Sequence, residues 1–317
     1  MRKFILKTIK QSFDAWLTLT KLTVPALVAV RLLMWFNLVE SISLPFEPIM
    51  SFMGLPKETA LVWVTAMLTN NYTGVMIYLN IMPLIDPLNI AQATILGTII
   101  LIAHNLPVEA AVCRGAGVSP LRVTVLRILA AIMFGFLAHR LCLALGWGLN
   151  EAKCVINFRV DPAPPWGQWL WSSLKSLAAI FVVVLTLVLL MAILEKIGLI
   201  KIFSLILSPF MRVSGVGPKA TMITIIGMVM GLAYGGGLII AASKSGEIPK
   251  RDIYGSIILM ALCHSIFEDT IILASLGGSL WGLLAGRIVF ATLLCGLIVR
   301  LASRPSAQAI FIGRKYA

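Results

Sequence analysis

The chain has 317 residues, 59% hydrophobic and only 12% charged, where a soluble domain carries about 25% charge. With a mean hydropathy of +0.97, this excludes an ordinary soluble domain, and the absence of alternating polar and apolar ten-residue stretches argues against an outer-membrane barrel. The net charge of +13 would suit a nucleic-acid binder, but the basic residues cluster at the ends of apolar runs, which is the pattern of membrane topology.

In chain order, residues 1–14 (MRKFILKTIKQSFD) come first. Asp14 interrupts their basic character and no small-residue cleavage site follows, so they do not read as a secretory leader. Phe4, Ile5, Ile9 and Phe13 share a helical face, which predicts an amphipathic helix on the inner membrane surface. A spanning helix is predicted over 17–38, a short Pro-containing apolar piece over 42–53, and then an interrupted segment, LVWVTAMLTNNYTGVMIYLNIMP. Two further helices are predicted over 90–113 and 119–147. A connecting loop over 148–171 follows; Trp147, Trp166, Trp169 and Trp171 read as an interfacial belt around it. The same order then recurs: 174–195, 199–213, MITIIGMVMGLAYGGGLIIAAS, 252–275 and 280–301, with a basic tail over 304–317.

The recurrence is a duplication. At an offset of 162, Pro56 falls on Pro218, Lys57 on Lys219, Tyr72 on Tyr234 and Gly74 on Gly236. At an offset of 160, His104 falls on His264, Glu109 on Asp269, Gly117 on Gly277, Arg127 on Arg287 and Arg140 on Arg300. The two copies cover 15–147 and 172–303.

If each interrupted segment spans once, basic residues land on both sides of the membrane. If each enters and turns back, Arg114, Arg122, Lys196, Lys201, Arg212, Lys244, Lys250 and Arg251 share one side with the basic N-terminus. The positive-inside rule selects the second arrangement. Each copy then crosses three times, an odd number, so the copies are inverted and both termini are cytoplasmic. The expected fold is an all-α polytopic inner-membrane protein, each unit holding three spanning helices, an interfacial helix and a re-entrant hairpin. The hairpin tips are expected at NNYTG and GLAYGGG, where backbone must line a wet cavity or be buried in protein.

This combination resembles the nucleoside-recognition, or Gate, family. That family is similar in plan to concentrative nucleoside transporters and to the gate regions of ferrous iron transporter B. The residues that carry the resemblance are the interfacial piece, the hairpin, the interrupted helices at HNLPVE and HSIFED, and the inverted duplication. The resemblance implies a solute site built from Asn70, Asn71, Tyr72, Thr73 and Asn105 in the first copy. In the second it implies Tyr234, Gly235, Gly236, Gly237 and Ser265, with Glu109, Glu268 and Asp269 as matching acids. Neither tip carries an acidic residue.

Charge inside a bilayer costs about 2.5–3.5 kcal/mol per group on insertion scales, so partners are expected. Glu109 and Arg127 flank the turn near Gly117, and Asp269 and Arg287 flank the turn at Gly277 and Gly278. At a rise of about 1.5 Å per residue all four lie near the midplane, which predicts two ion pairs. Glu268 has no acidic counterpart and is the spare carboxylate. His104 and His264 sit at the helix breaks, and Pro107 is expected to open the turn that precedes it. Arg31 and Lys21 are expected to snorkel. The five cysteines show no CxxC pairing. With no nucleophile elbow, phosphate loop or HExxH, an enzyme is not expected.

The reading is a transporter or permease for a small polar solute, nucleoside-like by resemblance, with a proton or sodium as coupling ion. A divalent metal permease using His104, His264, Glu109, Glu268 and Asp269 and a non-transporting membrane scaffold are the alternatives. No cofactor is called for, the metal ligands stay unassigned, nucleic acid is not a partner, and assembly into a homo-oligomer stays open.

Overall fold

A computed structural model describes residues 2–155, 165–196 and 198–302. The basic tail over 304–317 and part of the 148–171 loop lie outside the described residues. The elements in order are α1 (Arg2–Trp35), α2 (Val39–Ser43), α3 (Glu47–Phe52), α4 (Thr59–Leu68), α5 (Asn71–Ile81), α6 (Ile90–Ile102), α7 (Leu106–Gly115) and α8 (Pro120–Leu145). They continue as α9 (Trp166–Lys196), α10 (Leu199–Ser214), α11 (Pro218–Met230), α12 (Leu232–Ser245), α13 (Lys250–Leu262), α14 (Glu268–Ala274) and α15 (Arg287–Ala302). A π-helical turn, Gly282–Gly286, leads into α15. The only extended pairing among the described residues is an isolated bridge, Asn89 to Glu151.

Four helical runs among the described residues are long and apolar enough to cross a membrane: Ile90–Gly115, Pro120–Leu145, Trp166–Thr186 and Gly282–Ala302. The end of α1 and the α2–α3 stretch would make a fifth together, but they bend apart by 113°. That bend turns residues 39–52 across the line of α1, the course expected for a surface-lying piece. The chain is an all-α polytopic membrane protein. The sixth expected crossing, over 252–275, is parted at 263–267 into α13 and α14, each too short to span alone. Residues 1–14 form no separate element, because α1 runs unbroken from Arg2 and even Pro25 sits inside it.

α1 and α9 run antiparallel. Trp35 meets Trp166 with ring centroids 5.6 Å apart, while Trp16 meets Phe181 at 5.6 Å and donates from Nε1 to the Leu177 carbonyl at 2.9 Å. Arg31 does not snorkel: it is buried, with its guanidinium 5.3 Å from the Trp166 ring, whereas Lys21 is exposed. Trp147, Trp166 and Trp171 are exposed as a belt requires, but Trp169 is buried and donates to Asn80 Oδ1 at 3.3 Å.

Both interrupted segments are helical hairpins. In the first, Asn70 caps α5 by accepting from the Thr73 amide at 2.9 Å, and a Cβ added at Gly74 would lie 2.9 Å from Ala66 Cβ. In the second, Gly231 turns the chain at φ 83°, and a Cβ added at Gly235 would lie 2.3 Å from Gly227 Cα. Each hairpin begins and ends at one side of the molecule. Pro56, Glu58, Pro83 and Asp86 border one surface pocket, and Lys219 Nζ donates to the Glu247 carbonyl at 3.5 Å.

Two ends of the molecule are thereby defined. At one, the Ile90 amide donates to Asn150 O at 2.9 Å, and the Val155 amide to Ser275 O at 2.9 Å. Gln92 Nε2 reaches Gly54 O there at 3.0 Å, and Lys57 pairs with Glu40 at 3.1 Å. At the other, Ser243 Oγ donates to Ala116 O at 2.8 Å. α6 starts from the first end and α13 from the second, and each has 13 residues. At about 1.5 Å per residue both break after roughly 20 Å, so the breaks meet halfway through the molecule.

Candidate functional site

The two breaks share one local geometry. Ala103 (φ −135°, ψ 78°) matches Cys263 (φ −150°, ψ 71°). Asn105 (φ 50°) and Ser265 (φ 46°) are both left-handed, two of the three such non-glycine residues among those described. A positive φ costs a side chain energy and persists only where the surroundings enforce it. Here backbone contacts do so: the Asn105 amide donates to Ala66 O at 2.9 Å and the Ile266 amide to Met228 O at 2.9 Å. The arm of each hairpin is thus tied to the break of its own copy. Pro107 does not cause the break: it lies in the first turn of α7, where its missing N–H is no loss. The second copy breaks equally well with Phe267 at the matching position.

A half-helix that ends inside a bilayer leaves carbonyls without partners. The arginines supply donors. Arg127 Nε donates to Ile102 O at 2.7 Å, and Arg287 Nε to Leu262 O at 3.0 Å. Arg287 Nη2 also donates to His264 O at 2.8 Å. The histidines cap as well: His104 Nδ1 lies 3.0 Å from Ile100 O and His264 Nδ1 2.9 Å from Met260 O. A carbonyl only accepts, so each Nδ1 carries a proton and, in the neutral imidazole, each Nε2 presents a lone pair.

Those two Nε2 atoms face a common centre. The imidazole centroids are 4.9 Å apart. His104 Nε2 lies 3.6 Å from Asp269 Oδ2, and His264 Nε2 lies 3.7 Å from Glu109 Oε1 and 3.9 Å from Asp269 Oδ2. His104, His264, Glu109 and Asp269 are all buried. The cluster draws two residues from each copy, so neither copy contains the site alone.

The expected Glu109–Arg127 pair is present, with Oε1 2.6 Å from Nη1. The expected Asp269–Arg287 pair is not: among the described residues no ion pair joins them. The guanidinium of Arg287 is committed to two carbonyls, and Asp269 turns to the histidines. Glu268 joins no ion pair among the described residues and accepts from Tyr72 Oη at 2.9 Å.

The first hairpin tip divides between two tasks. Asn70 caps α5, and Thr73 Oγ1 lies 2.8 Å from Thr23 Oγ1 of α1; both are structural. Asn71 is buried, and Tyr72 crosses to the other copy, where it holds Glu268. The second tip works differently. Its turn is Gly231, where a Cβ would lie within 2.4 Å of Ser265 Oγ. Gly235, Gly236 and Gly237, expected at the tip, lie within α12. Gly235 serves close packing against Gly227 and Gly237 is exposed. The side chain of Tyr234 lies outside the described residues. Sequence reasoning missed the capping role of both arginines; their offset of 160 from each other and their equal distance of 25 residues from the carbonyls they cap were the available signal.

If the first tip is tethered to the second copy's acids, Tyr72→Phe and Glu268→Gln should be non-additive. A double-mutant cycle on thermal stability in micelles should give a coupling of about 0.5–1.5 kcal/mol. A coupling of zero would remove the tether.

No protein-family model matches the chain. It is 26% identical over 302 residues to "Uncharacterized membrane protein YvoD" of Bacillus subtilis (strain 168), covering 93% of each chain. No solved structure matches. The likeness agrees with a membrane protein.

Proposed function

We propose that this protein is a membrane permease of the Gate type, an inverted repeat whose two broken helices meet at a central site for a small polar solute or ion. The observation that carries the reading is the buried cluster of His104, Glu109, His264 and Asp269, contributed equally by both copies. Polar groups at that depth are costly and usually mark a pathway. The antiparallel pairing of α1 with α9 supports the inversion, as do the matched left-handed residues at an offset of 160. The hairpins start from opposite ends of the molecule, which provides two gates for alternating access. Asp269 is not closed by an arginine, and this favours a permease over a non-transporting scaffold.

The charges support an orientation in the cytoplasmic membrane. Arg114, Arg122, Arg212, Lys219, Lys244, Lys250 and Arg251 lie at one end with Glu247 and Asp252, and Glu40, Glu47, Glu58, Asp86 and Glu151 at the other with Lys57, Arg140 and Lys153, so the basic excess is at the first end. By the positive-inside rule the first end is cytoplasmic. Cysteines introduced at the exposed positions Ser245 and Leu149, in a background without native cysteine, test it. Ser245→Cys should react with an impermeant maleimide only from the cytoplasmic side, and Leu149→Cys only from outside. Labelling of both from the same side would end the six-crossing inverted plan.

A further inference from the structure

Resting on that permease reading, we infer that the central cluster is a coordination site for a divalent transition-metal cation, bound by His104 Nε2, His264 Nε2, Glu109 and Asp269. Three observations lead there. The first is the tautomer. Both Nδ1–H groups are spent on backbone carbonyls four residues back, at 3.0 and 2.9 Å. This is how ligating histidines are oriented, with the other ring nitrogen bonded to a carbonyl or carboxylate.

The second is that acceptors face acceptors. Neutral imidazoles here face carboxylate oxygens lone pair to lone pair, an arrangement that a cation between them, a proton or a metal ion, relieves. Glu109 Oε2 is buried with no hydrogen-bond partner, Oε1 is paired with Arg127, and Glu109 is only 3% exposed. Asp269, by contrast, has only the two histidines as ion-pair neighbours among the described residues.

The third is spacing. The Nε2 to oxygen separations of 3.6, 3.7 and 3.9 Å exceed the ~3.2 Å limit for a shared proton. Two ligands each about 2.0–2.1 Å from a tetrahedral ion stand roughly 3.3–3.4 Å apart. Those three separations would contract by roughly 0.2–0.6 Å to reach tetrahedral spacing, and ligand atoms farther apart would have to move more. One ligand atom from each of His104, Glu109 and His264 already lies within 4.8 Å of the others.

Two nitrogens with two carboxylates suit zinc, cobalt or manganese rather than magnesium or calcium, which prefer all-oxygen sites. Arg127 beside Glu109 weakens the attraction for a cation. That fits cargo that must leave, since conduction needs binding weak enough for release. The metal is therefore the transported ion and not a structural one.

The test uses the full-length protein in micelles, titrated with Co²⁺ and Zn²⁺, and in liposomes holding a metal-sensitive dye. One Co²⁺ per chain should bind with visible absorption of a tetrahedral nitrogen–oxygen site, unaffected by excess Mg²⁺. His104→Gln and His264→Gln should each weaken it on the order of 10–100-fold or more, while His139→Gln, altering the third histidine, should leave it unchanged. If the variants unfold, X-ray absorption of the Zn²⁺-loaded wild-type protein should still show two imidazoles at about 2.0 Å. Absence of stoichiometric binding, or binding that ignores His104 and His264, overturns the metal site. Binding at this site without metal uptake into liposomes overturns its role as cargo, and absence of uptake of metal and organic solutes alike overturns the permease reading. Uptake of a nucleoside or other organic solute without metal binding leaves the permease reading standing and removes the metal.

Discussion

Arg127→Ala should destabilise the protein by on the order of 3–5 kcal/mol, the cost of leaving one partner of a buried pair. The change strands Glu109, 2.6 Å away, and uncaps the Ile102 carbonyl. Adding Glu109→Gln should recover part of the loss, because the stranded charge is gone, but not all of it, because Ile102 O still has no donor. Arg287→Ala should cost a similar amount for a different reason. It uncaps two buried carbonyls, Leu262 O and His264 O, at about 1–3 kcal/mol each. Adding Asp269→Asn should recover nothing, since those two residues form no ion pair. Chemical unfolding of the two single and two double variants in micelles checks this. Equal rescue in both copies would mean that the second copy carries the same ion pair as the first.

Gly235→Ala should also be strongly destabilising, by about 1–3 kcal/mol or more, while Gly237→Ala two residues on should be neutral or stabilising by up to about 1 kcal/mol. At Gly235 the new methyl would meet Gly227 Cα, a backbone atom that cannot rotate away. At Gly237 nothing lies within 4 Å, and alanine is the better helix former. Thermal unfolding midpoints moving in opposite directions would identify Gly235 as the closure point of the second hairpin. The same sign at both positions would show that the glycine run acts only through helix propensity.

Much of the architecture was legible in the sequence because a bilayer imposes simple rules. Apolar runs of near-spanning length, basic residues gathered at their ends and the offsets of 160 and 162 were enough to expect an all-α membrane protein with paired interrupted segments. The offsets also singled out His104, Glu109, Arg127, His264, Asp269 and Arg287, all of which lie at the centre. Linear sequence could not assign partners among them. Within one copy, helical rise places an acid and an arginine at similar depth, and on that ground Asp269 and Arg287 were expected to pair. Two effects outside that calculation decided otherwise. A broken helix must have its end carbonyls satisfied, which occupies Arg287, and the meeting of the two copies brings His104 within 3.6 Å of Asp269.

Apolar periodicity and charge placement therefore determined by themselves that this chain is a helical membrane protein with polar breaks near mid-depth. Which glycine turns a hairpin, which acid Tyr72 holds, and that two histidines from separate copies aim their free nitrogens at one centre were decided only by tertiary structure. The reason is physical: helix formation and membrane insertion are local and follow the sequence directly, whereas a site shared between copies exists only once distant segments pack and their unsatisfied groups find one another.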